Sequence, residues 1–269
     1  MTIEITKMMR EQYEDQGYFV IQNVYSPQEI ELMKKGMEHL WLNHVSESKI
    51  TPNDSEPLAS IFPPLHEVHL GDENLIHKYI LHSKNFSIAD QLFREESLVA
   101  GSTCFYKAPG AKSLVFHQDN SGFGPSPGTV CALWISIDPA TSDNGCLLII
   151  PKSHNLGMYS LNNQNKPLLD QILVEPESQS VQNLTKLGSF DVKEIHTNPG
   201  DVIVFHGDTI HGSASNTTQH HFRRSIAVHM VPASVKKMFA NYDSLVDSQK
   251  NVIKRKLNKR HSLSLQRGY

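Results

Sequence analysis

Pro199-Gly200-Asp201-Val202-Ile203-Val204-Phe205-His206-Gly207-Asp208-Thr209-Ile210-His211-Gly212-Ser213 is the stretch whose punctuation decides the fold. A Pro-Gly-Asp turn feeds a short apolar strand, a second turn follows, and a histidine then emerges between small residues that leave room for a ligand. About a dozen residues on, Phe222-Arg223-Arg224-Ser225-Ile226-Ala227-Val228-His229-Met230 reads as another strand. Side chains alternate along a strand, so Arg224, Ile226, Val228 and Met230 share a mostly apolar face, and Arg223, Ser225, Ala227 and His229 share the other. The second face suits a barrel interior that receives a polar ligand. Arg223 and Ser225 have the donors to hold a carboxylate there, because guanidinium is a fixed bidentate donor.

The same texture begins at Gly101. Short runs rich in Val, Ile, Phe and Cys, separated by Gly, Pro, Asn and Asp, predict strands at Ser102–Lys107, Leu114–His117, Thr129–Ile137, Cys146–Ile150, Asp201–Phe205, Ile210–Ser213 and Arg223–Met230. Seven strands with no helix between most of them suggest an antiparallel sandwich or jelly roll. Up to about residue 98 the pattern is mostly helical. Ser26-Pro27-Gln28-Glu29 combines a capping serine, a proline at the first helical position and a glutamate three residues after the cap. Further helices are expected over Glu73–Leu81 and Phe86–Phe93, with a loop over Ile50–Pro64. Asn155–Thr197 is a long polar insertion of the kind that forms a lid. Over Asp243–Arg260, Val246, Ile253 and Leu257 stand near helical spacing among basic residues, which predicts a helix packed on the sheet. The expectation is one domain, mainly β with flanking α: a helical portion at about 1–98, a barrel core at about 101–232 with the insertion at 155–197, and a basic helical tail at 233–269.

Composition excludes the non-globular classes: of 269 residues, 39% are apolar and 20% charged, with Gly and Pro at ordinary levels. The net charge of −3 hides an asymmetry, since Lys236–Tyr269 carries nine Lys/Arg against two Asp, or +7, and the remainder carries −10. An acidic body without a basic stripe through its barrel half argues against a nucleic-acid substrate. For the tail, the rival reading is a dock for an acidic protein or a membrane surface. Cys104, Cys131 and Cys146 are widely spaced, form no C-x-x-C pair and lie in or beside apolar runs, so they read as small buried hydrophobes in a reducing compartment. Met1–Gln16 has no apolar signal segment and no 18-residue apolar run exists, so a cytoplasmic location without a membrane span is expected.

One count is unusual: the chain has 15 His, as many as Gly. Imidazole is the commonest side-chain metal ligand, and H-x-D at the end of a strand points both side chains the same way. That pattern occurs twice, at His117-Gln118-Asp119 and at His206-Gly207-Asp208. The second ends a strand and runs into a tight turn, with His211 too close in sequence to arrive from a different strand. His117 and Asp119 with a late histidine is the better geometry. Two histidines and one carboxylate on one face of an octahedron leave three positions open, the arrangement of non-haem Fe(II) oxygenases.

The ordered set His117-x-Asp119, Asn144-Gly145-Cys146-Leu147, Pro151-Lys152-Ser153-His154, Gly200-Asp201, His211-Gly212-Ser213-x-x-Asn216 and Phe222-Arg223 resembles the phytanoyl-CoA dioxygenase family of Fe(II)- and 2-oxoglutarate-dependent oxygenases. The similarity spans roughly Gly101 to Val231, and a weaker one covers Gly17-Tyr18-Phe19-Val20 and the helix that follows. The resemblance implies a double-stranded β-helix (cupin-like jelly roll) with N-terminal helices on its sheet, and iron held by His117, Asp119 and His211. It further implies that Arg223, with Ser225 beside it, meets the distal carboxylate of 2-oxoglutarate, that Trp134 lines the cosubstrate pocket, and that Thr103 stands on the strand giving a further pocket residue. The family commonly has glycine where this chain has Lys152, and some acyl-CoA members have a lysine near Leu65–His69 that finds no clear counterpart here. His154, His206 and His229 are kept as supporting positions around the metal. Halogenating relatives replace the carboxylate that this chain keeps at Asp119.

The implied reaction consumes O₂ and 2-oxoglutarate, releases succinate and CO₂, and hydroxylates an aliphatic C–H of a small molecule, a free amino acid or a natural-product intermediate. Desaturation and ring closure are open to the same cofactors. The reading from another class is a non-redox metal-binding jelly roll, an isomerase or sensor, which does not need a dicarboxylate clamp at Arg223.

Overall fold

The computed structural model describes residues 3–47, 57–71, 75–157 and 191–259. In chain order its elements are α1 (Lys7–Gln16), β1 (Tyr18–Ile21), α2 (Pro27–Ser46), α3 (Pro57–Ser60), β2 (Leu65–His66), α4 (Leu75–Ile80), α5 (Ser83–Phe93), β3 (Ser97–Lys107), β4 (Leu114–His117), α6 (Asp119–Phe123), β5 (Cys131–Ser136), β6 (Leu147–Ile149), β7 (Lys193–Ile195), β8 (Val202–His206), β9 (His211–Ser213), β10 (Arg223–Pro232), β11 (Lys237–Met238), β12 (Ser244–Val246), β13 (Val252–Lys254) and β14 (Lys256–Leu257).

Two antiparallel sheets face each other. The larger runs β1-β8-β5-β10-β3-β12-β13 with β2 also on β3, and the smaller runs β4-β9-β6-β7; β11 and β14 form a separate parallel pair. This is a double-stranded β-helix with helices layered on the outer face of the larger sheet. Period-two alternation decides what lies where. Cys104, Leu133, Val204, Ile226 and Val228 point outward and pack with Ile30, Met33 and Met37 of α2 and with Ile76, Ile80 and Ile88 of α4 and α5. Ala132, Trp134, Ile203, Phe205 and Ala227 point inward, against Phe116, Leu147 and Ile149 of the smaller sheet. A third buried cluster includes Leu98, Phe123, Val231, Met238 and Leu245. Each fully buried large aliphatic contributes roughly 1.5–3 kcal/mol, so both faces of the larger sheet are energetically committed.

Local signals carry through. At the start of α2, Ser26 Oγ accepts from the Glu29 amide (3.3 Å) and Glu29 Oε2 accepts from the Ser26 amide (2.8 Å), the reciprocal cap expected from Ser26-Pro27-Gln28-Glu29. Asp201 in the Pro-Gly-Asp turn is buried and accepts from the amides of Asn23 and Asn198 (2.9 and 2.8 Å), which ties the start of β8 to the N-terminal segment. Lys152, in the place of a family glycine, adopts a left-handed conformation at φ 64°, so the turn shape survives without glycine. The three cysteines are buried and unpaired.

The C-terminal expectation is corrected. Over the described part of that stretch, 243–259, the chain is not helical: β12, β13 and β14 occupy Ser244–Leu257, with Leu245 opposite Ile253 in an antiparallel pair. Asp247 Oδ1 accepts from the amides of Gln249 and Asn251 (2.9 and 2.8 Å), and Lys250 sits at φ 69°. That side-chain turn reverses the chain before a helix can propagate. Within the expected insertion, Lys193–Ile195 forms β7 on the smaller sheet, and the lid reading for residues 158–190 lies outside the described residues.

Candidate functional site

The first ligand pair comes from the end of β4. His117 is its last residue, Gln118 stays extended (φ −122°, ψ 129°), and Asp119 opens α6, so the side chains of His117 and Asp119 return to the same side although Asp119 has left the strand. Gln118 points away and donates to the backbone oxygens of Gly157 and Asp208 (2.9 and 2.7 Å). His211 begins β9, hydrogen-bonded to β4 with His117 directly opposite. One ligand atom from each of His117, Asp119 and His211 lies within 4.8 Å of the others. Asp119 Oδ1 is 3.7 Å from His117 Nε2 and 3.8 Å from His211 Nε2.

This donor set fits a divalent metal. His117 Nδ1–H donates to Val115 O (2.9 Å) and His211 Nδ1–H to Thr209 O (3.0 Å), leaving both Nε2 lone pairs directed inward. Burial, then the neighbouring His117, pulls the His211 imidazole down to about 4, so it is neutral and ligand-ready at pH 7. Burial alone would raise the Asp119 carboxyl, but the imidazoles of His229, His211 and His117 outweigh it and hold it below the usual carboxylate range. Asp119 Oδ2 is buried with no hydrogen-bond partner, a cost that a nearby cation offsets.

The triad opens into a cavity of about 610 Å³ between the two sheets. One end is cationic. Arg223, buried on the inward face of β10, donates through Nε to Gly145 O (2.9 Å) and through Nη1 to Ser225 Oγ (2.7 Å), with its guanidinium carbon 5.2 Å from the Trp134 ring centroid. Opposite Arg223 on β3 stands Lys107, whose Nζ donates to Ser213 Oγ (2.8 Å). Desolvation, then the neighbouring Arg223, pulls the Lys107 ammonium well below its ordinary value; desolvation brings Arg223 to about 10. Two basic groups stand together here with no carboxylate in an ion pair with either, among the described residues, an arrangement suited to an anion. Gly145 shapes it: at φ 94° it presents its carbonyl to Arg223, and a Cβ there would lie 2.6 Å from Lys107 Cδ.

Of the residues singled out from the sequence, Thr103, Trp134 and Arg223 line this cavity with the triad. Thr103 Oγ1 lies 3.1 Å from His66 Nδ1. Ser225 does not line it; fully buried on the same strand, it accepts from Arg223, and the hydroxyl facing the cavity at that end is Ser213's. The three supporting histidines separate. His229 reaches the cavity, whereas His154 bonds Glu14 O and His206 packs on Tyr13, both against α1. The rival His206-Gly207-Asp208 is structural: Asp208 Oδ1 accepts from Asn120 Nδ2 (2.8 Å) and the Asp208 amide donates to His206 Nδ1 (3.1 Å). Lys107 and Ser213 went unassigned from sequence. The only signal for Lys107 is its register opposite Arg223, which a single sequence does not display.

A family model for Phytanoyl-CoA dioxygenase (PhyH) matches residues 13–225. A phytanoyl-CoA dioxygenase of Arabidopsis thaliana is 28% identical over 256 residues, covering 81% of this chain and 86% of that one. Phytanoyl-CoA dioxygenase 1 of Oryza sativa subsp. japonica is 30% identical over 149 residues, 54% of this chain and 48% of the relative, so this chain spans about half of that protein's length. Among solved structures, the α-ketoglutarate-dependent carbocyclase SnoK of nogalamycin biosynthesis superposes with a TM-score of 0.65 at 18% identity, covering 86% of this chain and 85% of that one. EctD from S. alaskensis with 2-oxoglutarate and 5-hydroxyectoine superposes at 0.65 with 20% identity, over 86% and 78%. These likenesses speak to the fold. With the family model spanning most of the chain and the metal triad in place, the chain belongs to the phytanoyl-CoA dioxygenase family of iron- and 2-oxoglutarate-dependent dioxygenases.

Proposed function

We propose that this dioxygenase hydroxylates an aliphatic C–H of a small molecule, a free amino acid or a compact natural-product intermediate. Each turnover would consume one C–H substrate, one 2-oxoglutarate and one O₂ and release the alcohol, succinate and CO₂. The observation that carries the reading is a single cavity that joins the His117, Asp119 and His211 triad to the cationic end at Arg223 and Lys107 and still extends beyond both. In this assignment His117 and His211 present Nε2 to Fe(II) and Asp119 neutralises one of its charges. Fe(II) bound with 2-oxoglutarate supplies O₂ activation coupled to decarboxylation of the keto acid.

The chain's own residues position the reactants and keep out water. Arg223, Lys107 and Ser213 would hold the distal carboxylate of 2-oxoglutarate. Trp134 offers a flat wall along the cosubstrate, and Phe105, Phe205 and Leu147 exclude solvent around it. The substrate would occupy the part of the cavity lined by Phe123 and Tyr242 (ring centroids 4.1 Å apart), His66 and Glu67. About 610 Å³ is the size of a small-molecule pocket rather than a polymer groove. EctD with 5-hydroxyectoine and SnoN with nogalamycin RO hold small molecules on the same fold. An acyl-CoA thioester, suggested by the relatives' name, is the rival substrate; residues Leu65–His69 contain histidines and no lysine. The test is anaerobic reconstitution with Fe(II) and 2-oxoglutarate, reading the visible charge-transfer band, followed by a metabolite screen for stimulated succinate release. Absence of the band, or its survival in the Asp119→Ala and Arg223→Ala double variant, refutes the site assignment. Product analysis then separates hydroxylation from desaturation and ring closure.

A further inference from the structure

Three imidazoles surround Asp119, and they do not face it alike. His117 and His211 commit Nδ1–H to backbone carbonyls and turn Nε2 toward Oδ1. His229 approaches from the other oxygen: its Nε2 is 3.6 Å from Asp119 Oδ2, and it falls outside the set of mutually close ligand atoms. Its Nδ1 is buried without a hydrogen-bond partner, and Asp119 Oδ2 is in the same condition. The other titratable groups near it are His66 and His69. An imidazole with one nitrogen buried without a hydrogen-bond partner and the other facing a carboxylate carries its proton on the second, the opposite tautomer to the two ligand histidines.

Two backbone features aim this ring. The pairing of β10 with β3 slips between His229 and Met230, a bulge of the kind that redirects a side chain beside a site. Across that pair stands Gly101, where a Cβ would lie 2.6 Å from Phe123 and 3.6 Å from His229 Nδ1. Glycine there leaves space for Phe123 to pack on His229, ring centroids 4.7 Å apart.

We propose that His229 is a positioning residue poised, at 3.6 Å in this structure, to donate Nε2–H to Oδ2 of Asp119 once a metal is bound, which would leave Oδ1 alone to ligate it. The inference rests on the triad reading above. Its consequence is stoichiometric. A carboxylate ligating through both oxygens leaves two of six positions for the keto acid and O₂; one held to a single oxygen leaves three, which the two reactants need.

The test uses the full chain with Co(II) as probe. His229→Phe keeps a ring against Phe123 and deletes the donor; His229→Gln restores an N–H. Expected are 10- to 100-fold weaker Co(II) affinity in His229→Phe, the range for lost supporting hydrogen bonds, with shifted visible d–d bands and recovery of both in His229→Gln. In the wild type, ¹⁵N-histidine spectra of the Zn(II)-loaded protein should show His229 protonated at Nε2, a readout that needs no variant to fold. A His229 protonated at Nδ1, or a His229→Phe protein with wild-type Co(II) affinity and spectrum, overturns the proposal and leaves His229 a cavity wall. Failure of the triad reading is distinguishable: wild type and Asp119→Ala would then bind Co(II) alike.

Discussion

Replacing Lys107 with methionine tests the anion end directly. Methionine matches the lysine stem in length and removes only the ammonium, whose hydrogen bond to Ser213 Oγ is 2.8 Å and which shares its end of the cavity with Arg223. A hydrogen bond to a charged group is worth about 1.5–3 kcal/mol. At 1.4 kcal/mol per decade, 2-oxoglutarate affinity should fall roughly 10- to 150-fold. The pH dependence sharpens the test. Desolvation and Arg223 hold the free protein's Lys107 well below the ordinary lysine value, so a bound carboxylate draws a proton onto it. Affinity should therefore decline as pH rises through the free-state value, and Lys107→Met should lose that slope. Stability moves the other way. The unfolded chain, with a lysine pKa of about 10.4, binds more protons than the folded one between the two values, so wild-type stability rises with pH over that window and the variant's does not. Anaerobic titration of the Fe(II)–keto acid band across pH, beside thermal melts, reads both. Unchanged affinity together with an unchanged pH slope would refute the role assigned to Lys107.

Arg223→Lys should not rescue Arg223→Ala, because Gly145 O and Ser225 Oγ engage Nε and Nη1 of a planar fork that an ammonium lacks; the 2-oxoglutarate KM measures it. Gly145→Ala places a methyl 2.6 Å from Lys107 Cδ on a residue at φ 94°, so a loss of about 1–3 kcal/mol in chemical denaturation and weaker cosubstrate binding are expected together. Asp119→Ala should abolish specific metal binding in calorimetry without loss of fold. Asp247→Ala, removing the turn acceptor for the Gln249 and Asn251 amides, should cost about 1–2 kcal/mol in a melt and leave turnover unchanged.

The strands and the His117-x-Asp119 pair were legible because they rest on local rules, whereas His211 as the third ligand came with the family resemblance. Turn residues mark where each strand stops, and the alternation in Arg223–Met230 places Arg223, Ala227 and His229 together on the interior face. What was not legible depends on register and on competition between local preferences. Lys107 belongs to the site through a partner 116 positions away. Ser225 shares the interior face yet is fully buried and bonded to Arg223, and the residue lining the cavity there is Ser213. Val246, Ile253 and Leu257 satisfy helical spacing, but Asp247 turns the chain first, and an apolar residue every few positions does not register the turn between them.

The alternation of β10 divides its tolerance to change. Arg224, Ile226, Val228 and Met230 face the helical layer or lie outside the cavity, whereas Arg223, Ala227 and His229 face the chemistry. Directed evolution confined to the odd-numbered positions would retune cosubstrate and metal environment while sparing the interface that keeps the helices on the sheet. Changes at even-numbered positions would instead surface as differences in expression and heat tolerance. A single ten-residue strand thus lets catalytic properties and foldability drift under separate selection.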